Sequence, residues 1–404
     1  MPTRYGCAAF SEAPEETRDA ALVAHLRALG ACPLGKAAMT ELALFSPAPT
    51  SNAVDATRTA GGSSCGSAVA VALGMADLAL GTQTGGSIAR PAAFNGVVGL
   101  KPTFGVLPTA GLMPVAPSLD TCGLFARTVA DAGAVLAALL DGPGRAPRPA
   151  RARRPYFVAV GFSGDAFYEP RAEASAKELV ALFAERLARA GTGTGTRTGT
   201  GDDDDTATAV LTAPLQFPPS FRPELAHALY LYEAGRNLRG VADGPGGDRL
   251  SPQLQALLAA AARVSLNDYL DAVAMQERCR SEIDHAFAQS GADLALCLNT
   301  QGVAPKLVDC VHTNWPSGDP FINAALTLFG VPALVRARRP ARTSAALLTR
   351  LSAVSAVGAP SAQSVPVGRE IASGMPLSVQ IIAPRWRDLD LVGSAGQLLR
   401  GLAC

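Results

Sequence analysis

The sequence predicts an α/β protein. Short apolar runs that read as strands alternate with amphipathic helical stretches. A glycine-rich central segment over 61–128 holds a helix, a strand and sharp turns in close succession. With 404 residues, 48% of them hydrophobic, the chain can bury a large core. Size alone allows one large domain or two or three smaller ones.

The elements follow in order. Residues 17–29 place Ala21, Leu22, His25, Leu26 and Leu29 on one helical face, and Gly30 reads as the stop. A small-residue helix is expected near 66–76 and a short apolar strand near 77–82. An alanine-rich helix near 128–140 ends at Asp141-Gly142-Pro143-Gly144. Residues 143–154, rich in proline and arginine, read as a linker, and Tyr156–Val160 as a strand. An amphipathic helix is expected over 172–190. The repeat GTGTGTRTGTGDDDDTATA at 191–209 cannot bury apolar area and reads as a disordered surface loop. Residues 252–288 read as helical, Asp293–Leu298 and Pro376–Ala383 as strands, and 388–401 as a terminal helix.

Composition excludes several function classes. Lys+Arg is 35 and Asp+Glu is 34, a net charge of +1, which sets aside a whole-chain nucleic-acid binder. No run approaches the length of a spanning helix, and the first residues lack a basic-then-apolar signal pattern, so a cytoplasmic protein away from membranes is expected. The eight cysteines form no C-x-x-C pair, and the four histidines have no H-E-x-x-H spacing. Neither a metal site nor a cofactor is therefore expected. Only four of the basic residues are lysines: 36, 101, 177 and 306.

Two runs carry the chemistry. The first is Thr57-Arg58-Thr59-Ala60-Gly61-Gly62-Ser63-Ser64-Cys65-Gly66-Ser67. The second is Gly81-Thr82-Gln83-Thr84-Gly85-Gly86-Ser87-Ile88-Ala89-Arg90-Pro91-Ala92. One helix and one strand separate Ser63 from Ser87, which could return the second serine to the first. Glycines let the backbone turn sharply and present consecutive N–H groups. The groups at 84–87 could hold an oxyanion beside the Ser87 hydroxyl. On spacing alone, a capped strand-to-helix turn is the commoner meaning of such a run. Gly62-Ser63-Ser64-Cys65-Gly66 also fits the G-x-S-x-G nucleophile elbow, with His227, His285 and His312 as candidate bases, but polar residues rather than a buried strand precede it. Cys65 reads as a packed residue, Arg90 more as a structural residue than as a binder of a substrate carboxylate, Asp120 as a hydrogen-bonding turn residue, and Lys101-Pro102-Thr103 as a chain reversal.

The segment GGSSCGSAVAVALGMADLALGTQTGGSIARPAAFNGVVGLKPTFG resembles the amidase signature family. Its flanks LGKAAMTELALFSPAPTSN and GLMPVAPSLDTCGLFARTVADA are similar to the family too, as are GDPFINAALTLFGVPAL and SVPVGREIASGMPLSVQIIAP. The resemblance implies a single domain over 1–404, an α/β/α sandwich around a large mixed sheet. It also implies hydrolysis of carbon–nitrogen amide bonds through a Ser–cisSer–Lys triad. Carried over, Ser87 is the acyl-forming nucleophile and Ser63 the bridging serine after a cis peptide. Thr84, Gly85 and Gly86 supply the oxyanion hole. A small-molecule amide is the implied partner, and a homodimer is left open as the assembly.

The sequence departs from the family at the base. The family's lysine lies on a strand several tens of residues before the bridging serine. Only Lys36 precedes Ser63, and it falls in a different family segment, next to Thr40-Glu41, which suggests a polar surface. The chain is therefore expected to lack its N-terminal helices and lysine-bearing strand. A truncated gene model or a catalytically inactive amidase-like protein are the alternatives this raises. A protein resembling the A-type component of glutamyl-tRNA amidotransferase is the other. Leu334 would join Ser364 as one continuous strand, so 335–363 is expected to be an insertion, read as translated intron.

Overall fold

The computed structural model describes residues 1–141, 214–310, 321–338 and 375–401, apart from 45, 47 and 301. It also describes 157–160, 162–163, 181, 184 and 209–210. The linker at 143–154, nearly all of the helix at 172–190, the low-complexity run through 208 and insertion residues 339–363 lie outside the described residues.

The strands in chain order are β1 (Leu78–Gln83), β2 (Val98–Lys101), β3 (Thr121–Ala126), β4 (Phe157–Val160), β5 (Phe162–Ser163), β6 (Ala209–Val210), β7 (Leu215–Gln216), β8 (Leu294–Leu298), β9 (Ala333–Arg338) and β10 (Leu377–Ile382). Eight of them form one sheet, ordered β1-β3-β2-β9-β10-β8-β4-β6; β5 and β7 pair separately. The pairs from β1 through β8 are antiparallel, whereas β8–β4 and β4–β6 are parallel. The sheet is mixed, as expected.

Successive strand residues face opposite sides, and the apolar residues on each side have their own helices. Leu100, Leu124, Leu334, Val379 and Ile381 share a cluster with Leu22 and Leu26 of α1 (Ala21–Ala28). Leu136 of α4 (Val129–Asp141) and Leu391 of the helix Asp388–Gly401 complete that layer. At eight residues α1 is too short to persist alone, so the docking of Leu22 and Leu26 is what keeps it helical. The other face has two patches. Phe125 and Val335 meet α2 (Cys65–Ala72) and α3 (Ala89–Asn95) through Val71, Ile88, Ala92 and Phe94. Cys297 and Ile382 meet Leu229, Met275, Cys279 and Ile283 of the helices Pro223–Ala242 and Leu266–Ser290. Helices thus cover both faces, the α/β/α arrangement. Among the described residues no helix is long and apolar enough to cross a membrane.

Two elements differ from the sequence reading. The stretch 252–288 is two helices, Pro252–Ala261 and Leu266–Ser290. Ser265 starts the second: its Oγ accepts from Asp268 N at 3.1 Å, and Asp268 Oδ2 accepts from Ser265 N at 3.1 Å. This reciprocal box satisfies donors that a continuous helix would not leave free. Strand β9 continues past Leu334. Val335 pairs with Gly99 on one side and Gln380 on the other, and Arg338 pairs with Leu377. The first four residues of the expected insertion are therefore strand.

Candidate active site

The first serine run is irregular chain leading into α2. No strand precedes it among the described residues, so the elbow geometry is not formed. Two buried asparagines hold it from behind. Asn95 Nδ2 donates to Ala60 O at 2.9 Å, and Asn52 Nδ2 donates to Thr59 O at 3.1 Å. The peptide bond between Gly62 and Ser63 is cis. Arg90 is 2% exposed and donates from Nη2 to Gly62 O at 2.9 Å, which holds the carbonyl before the cis bond.

The second run is the turn between β1 and α3. Gln83, the last residue of β1, closes it. Its Oε1 accepts from Ile88 N at 2.9 Å and Ala89 N at 3.0 Å, while its Nε2 donates to Thr327 Oγ1 at 2.9 Å. The residues between are thereby drawn into a loop. Thr327 Oγ1 also lies 2.8 Å from Gly85 O. A side-chain carbon on Gly86 would stand 2.6 Å from Arg90 Nη1 and 3.0 Å from Asn323 Cβ, so a larger residue there would have to displace the Arg90 guanidinium.

The two runs meet. Ser64 N donates to Ser87 O at 3.3 Å, and Thr82 N donates to Ser64 Oγ at 3.3 Å. Ser67 Oγ donates to Leu80 O at 2.7 Å, which fastens α2 along β1. Ser63, Thr84 and Ser87 are all buried. Thr84 Oγ1 donates to Asp120 Oδ1 at 2.5 Å. Asp120 Oδ2 accepts from Val115 N at 2.8 Å and Ala116 N at 3.1 Å. Burial pushes the Asp120 carboxyl above the ordinary aspartate range, and these three hydrogen bonds pull it back.

The structure brings Ser63, Thr84, Gly85, Gly86 and Ser87 to one place; the described candidate bases Lys36, His227 and His285 are all exposed. Lys36 is exposed and donates to Met1 O at 3.1 Å and to the Thr3 hydroxyl. Its neighbours Thr40 and Glu41 are not surface residues, as the sequence suggested, but buried. Glu41 accepts from Ser251 N at 3.1 Å and from the Ser46 hydroxyl at 3.2 Å. Ser251 is distant in sequence, which is why the polar pair misleads. His227 and His285 are exposed, and His312 lies outside the described residues. Among the described residues, no hydrogen bond ties a lysine or histidine to the hydroxyl of Ser63 or Ser87. Burial pushes the Cys65 thiol up, which keeps it protonated and inert. Sequence reasoning missed Gln83, Asn52, Asn95 and Thr327. Gln83 stands inside the motif and could have been suspected, but nothing local points to Thr327.

The model for the family described as Amidase matches residues 1–392. Two curated relatives are each named as the A-type component of glutamyl-tRNA(Gln) amidotransferase. That of Treponema pallidum is 47% identical over 146 residues, covering 33% of this chain and 29% of the relative. That of Symbiobacterium thermophilum is 47% identical over 153 residues, 36% of this chain and 31% of the relative. The matches thus span less than a third of those relatives' length. A solved amidase superposes with a TM-score of 0.75 at 29% identity, covering 99% of this chain and 81% of that one.

Proposed function

The chain belongs to the amidase family, and from that premise we propose that it cleaves carbon–nitrogen amide bonds through an acyl ester on Ser87. One observation carries the reading: the bond from Ser64 N to Ser87 O, which draws two buried serine runs together at the end of a Gly-Gly turn. Ser87 Oγ attacks the amide carbonyl, and the negative charge that develops on its oxygen is met by the N–H groups of Thr84, Gly85, Gly86 and Ser87. The Ser87 proton passes to Ser63, which gives up its own to a base. The amine leaves with a proton, and water then hydrolyses the ester. Among the described residues Lys36 and Lys306 are exposed and Lys101 donates to the Pro102 carbonyl, and none of the three is hydrogen-bonded to Ser63 or Ser87. Small-molecule amides are the proposed substrates, the cytoplasm the proposed location and a homodimer the proposed assembly.

A reactive fluorophosphonate tests the serine directly. The expected adduct is on the Ser87 peptide by mass spectrometry, with none on a Ser87→Ala chain. No adduct, or an adduct on Ser63 instead, rejects the assignment.

The likeness to the A-type amidotransferase components, 47% identical over 146 residues, supports a second reading in which glutamine is the amide and the chain works beside other proteins. Ammonia release from free glutamine, set against release from simple amides, separates the two.

A further inference from the structure

We propose that Asp120 is a positioning residue for this site: it takes the Thr84 hydroxyl and so fixes the Thr84–Ser87 turn against the segment Val115–Asp120. The inference rests on the reading above only in naming what the turn does; the contact itself is geometric.

The segment is anchored independently of the serines. Two helices hold it, Pro223–Ala242 and Leu266–Ser290. From the first, Asn237 Nδ2 donates to Val115 O at 3.1 Å, and Glu233 Oε2 accepts from Ser118 N at 3.0 Å. From the second, Gln276 Nε2 and Arg280 Nη2 both donate to Ser118 O, at 3.2 Å and 3.1 Å. Asp120 then carries this anchorage to the turn. One carboxylate oxygen is committed to two backbone N–H groups and the other to Thr84. Gln83 and Thr327 secure the other end of the same turn. The turn is thus clamped at Thr84 from one helical layer and at Gly85 and Ile88 from within. Oxyanion donors act by being fixed beforehand, so loosening Thr84 should cost rate rather than substrate affinity.

The chemistry of the three donors makes the idea specific. An asparagine at 120 can face its oxygen to the two N–H groups and its amide nitrogen to Thr84, whose hydroxyl turns from donor to acceptor. Position is kept while charge is lost. An alanine keeps neither.

The experiment uses the full chain with Asp120→Ala, Asp120→Asn, Thr84→Val and the Asp120→Ala/Thr84→Val double variant. Two quantities are read. One is amide hydrogen exchange over 82–90, referenced to β3. The other is the rate of Ser87 labelling by the fluorophosphonate, with kcat and KM on any amide that is turned over. A hydrogen bond to a charged acceptor is worth roughly tenfold to a hundredfold. Asp120→Ala and Thr84→Val should each speed exchange over 82–90, and slow labelling and kcat, by that range with KM little changed. The double variant should be no worse than Asp120→Ala alone, since the contact that Thr84→Val removes is already lost there. Asp120→Asn should recover most of the loss. Unchanged exchange in Asp120→Ala, additive losses in the double variant, or an asparagine as damaging as alanine overturns the proposal. If Asp120→Ala does not fold, Thr84→Val, which leaves the 115–120 segment whole, decides by exchange. If the wild-type chain takes no label, the hydrolytic reading falls, while exchange over 82–90 still decides the role of Asp120.

Discussion

Lys101 shows what a single buried residue does to the whole. It ends β2, is 1% exposed, and gives its amine to Pro102 O at 2.8 Å. Burial lowers its pKa from 10.5 to about 7, with Asp388 opposing that shift. Between those values the unfolded lysine holds a proton that the folded one does not. Stability therefore rises with pH across that window, and the gain is lost as pH falls through about 7. Thermal or urea unfolding should show the wild type gaining on the order of 1 kcal/mol per pH unit relative to Lys101→Met between pH 7 and 9. A constant difference rejects this. The sequence marked Lys101 only as part of a chain reversal; nothing local announces a lysine buried by other strands and helices. That the runs around Ser63 and Ser87 could meet was legible because only one helix and one strand separate them. Their supports were not: Thr327 lies about 240 positions from Gln83, and chain distance carries no signal of contact.

The elements were legible where periodicity is strong. α1, α4, β1, β4, β8, β10 and the helix Asp388–Gly401 fall within a few residues of their expected ranges. The helix Pro223–Ala242 was not anticipated, β9 was expected to leave its strand at Leu334, and the break at 262–265 was read through. Periodicity reports a face but says little about where one helix hands over to the next; the capping serine does. β1 and α2 illustrate how closely two elements can approach. A side-chain carbon at Gly81 would lie 2.8 Å from Ser64 Oγ and 2.6 Å from the Phe125 ring. Gly81→Ala should therefore destabilise the chain by about 1–3 kcal/mol in denaturant unfolding, as overpacking does. It should also slow fluorophosphonate labelling, because Ser64 is the residue that joins the two serine runs. Unaltered stability contradicts this packing.

At the scale of the molecule, the sheet order has one strand on which two assemblies depend. Strands β1, β3, β2 and β9 form one group, β8, β4 and β6 another, and among the described residues β10 alone pairs with both. The alternation of strands and helices revealed the class, but the order could not be read from it, because most neighbours in this sheet are not neighbours in the chain. A chain ended before Leu377 should lose its cooperative thermal transition by circular dichroism and aggregate, since two strand edges and their apolar faces are left uncovered. A sharp transition in that shortened chain rejects the dependence. The same order sets a timetable for synthesis. Every other described strand of the sheet leaves the ribosome before residues 377–382 do, and until then β8 and β9 have no strand between them. The nascent chain must stay in solution with β8 and β9 each waiting for a partner, so the hazard in making this protein falls between the emergence of β9 and that of β10.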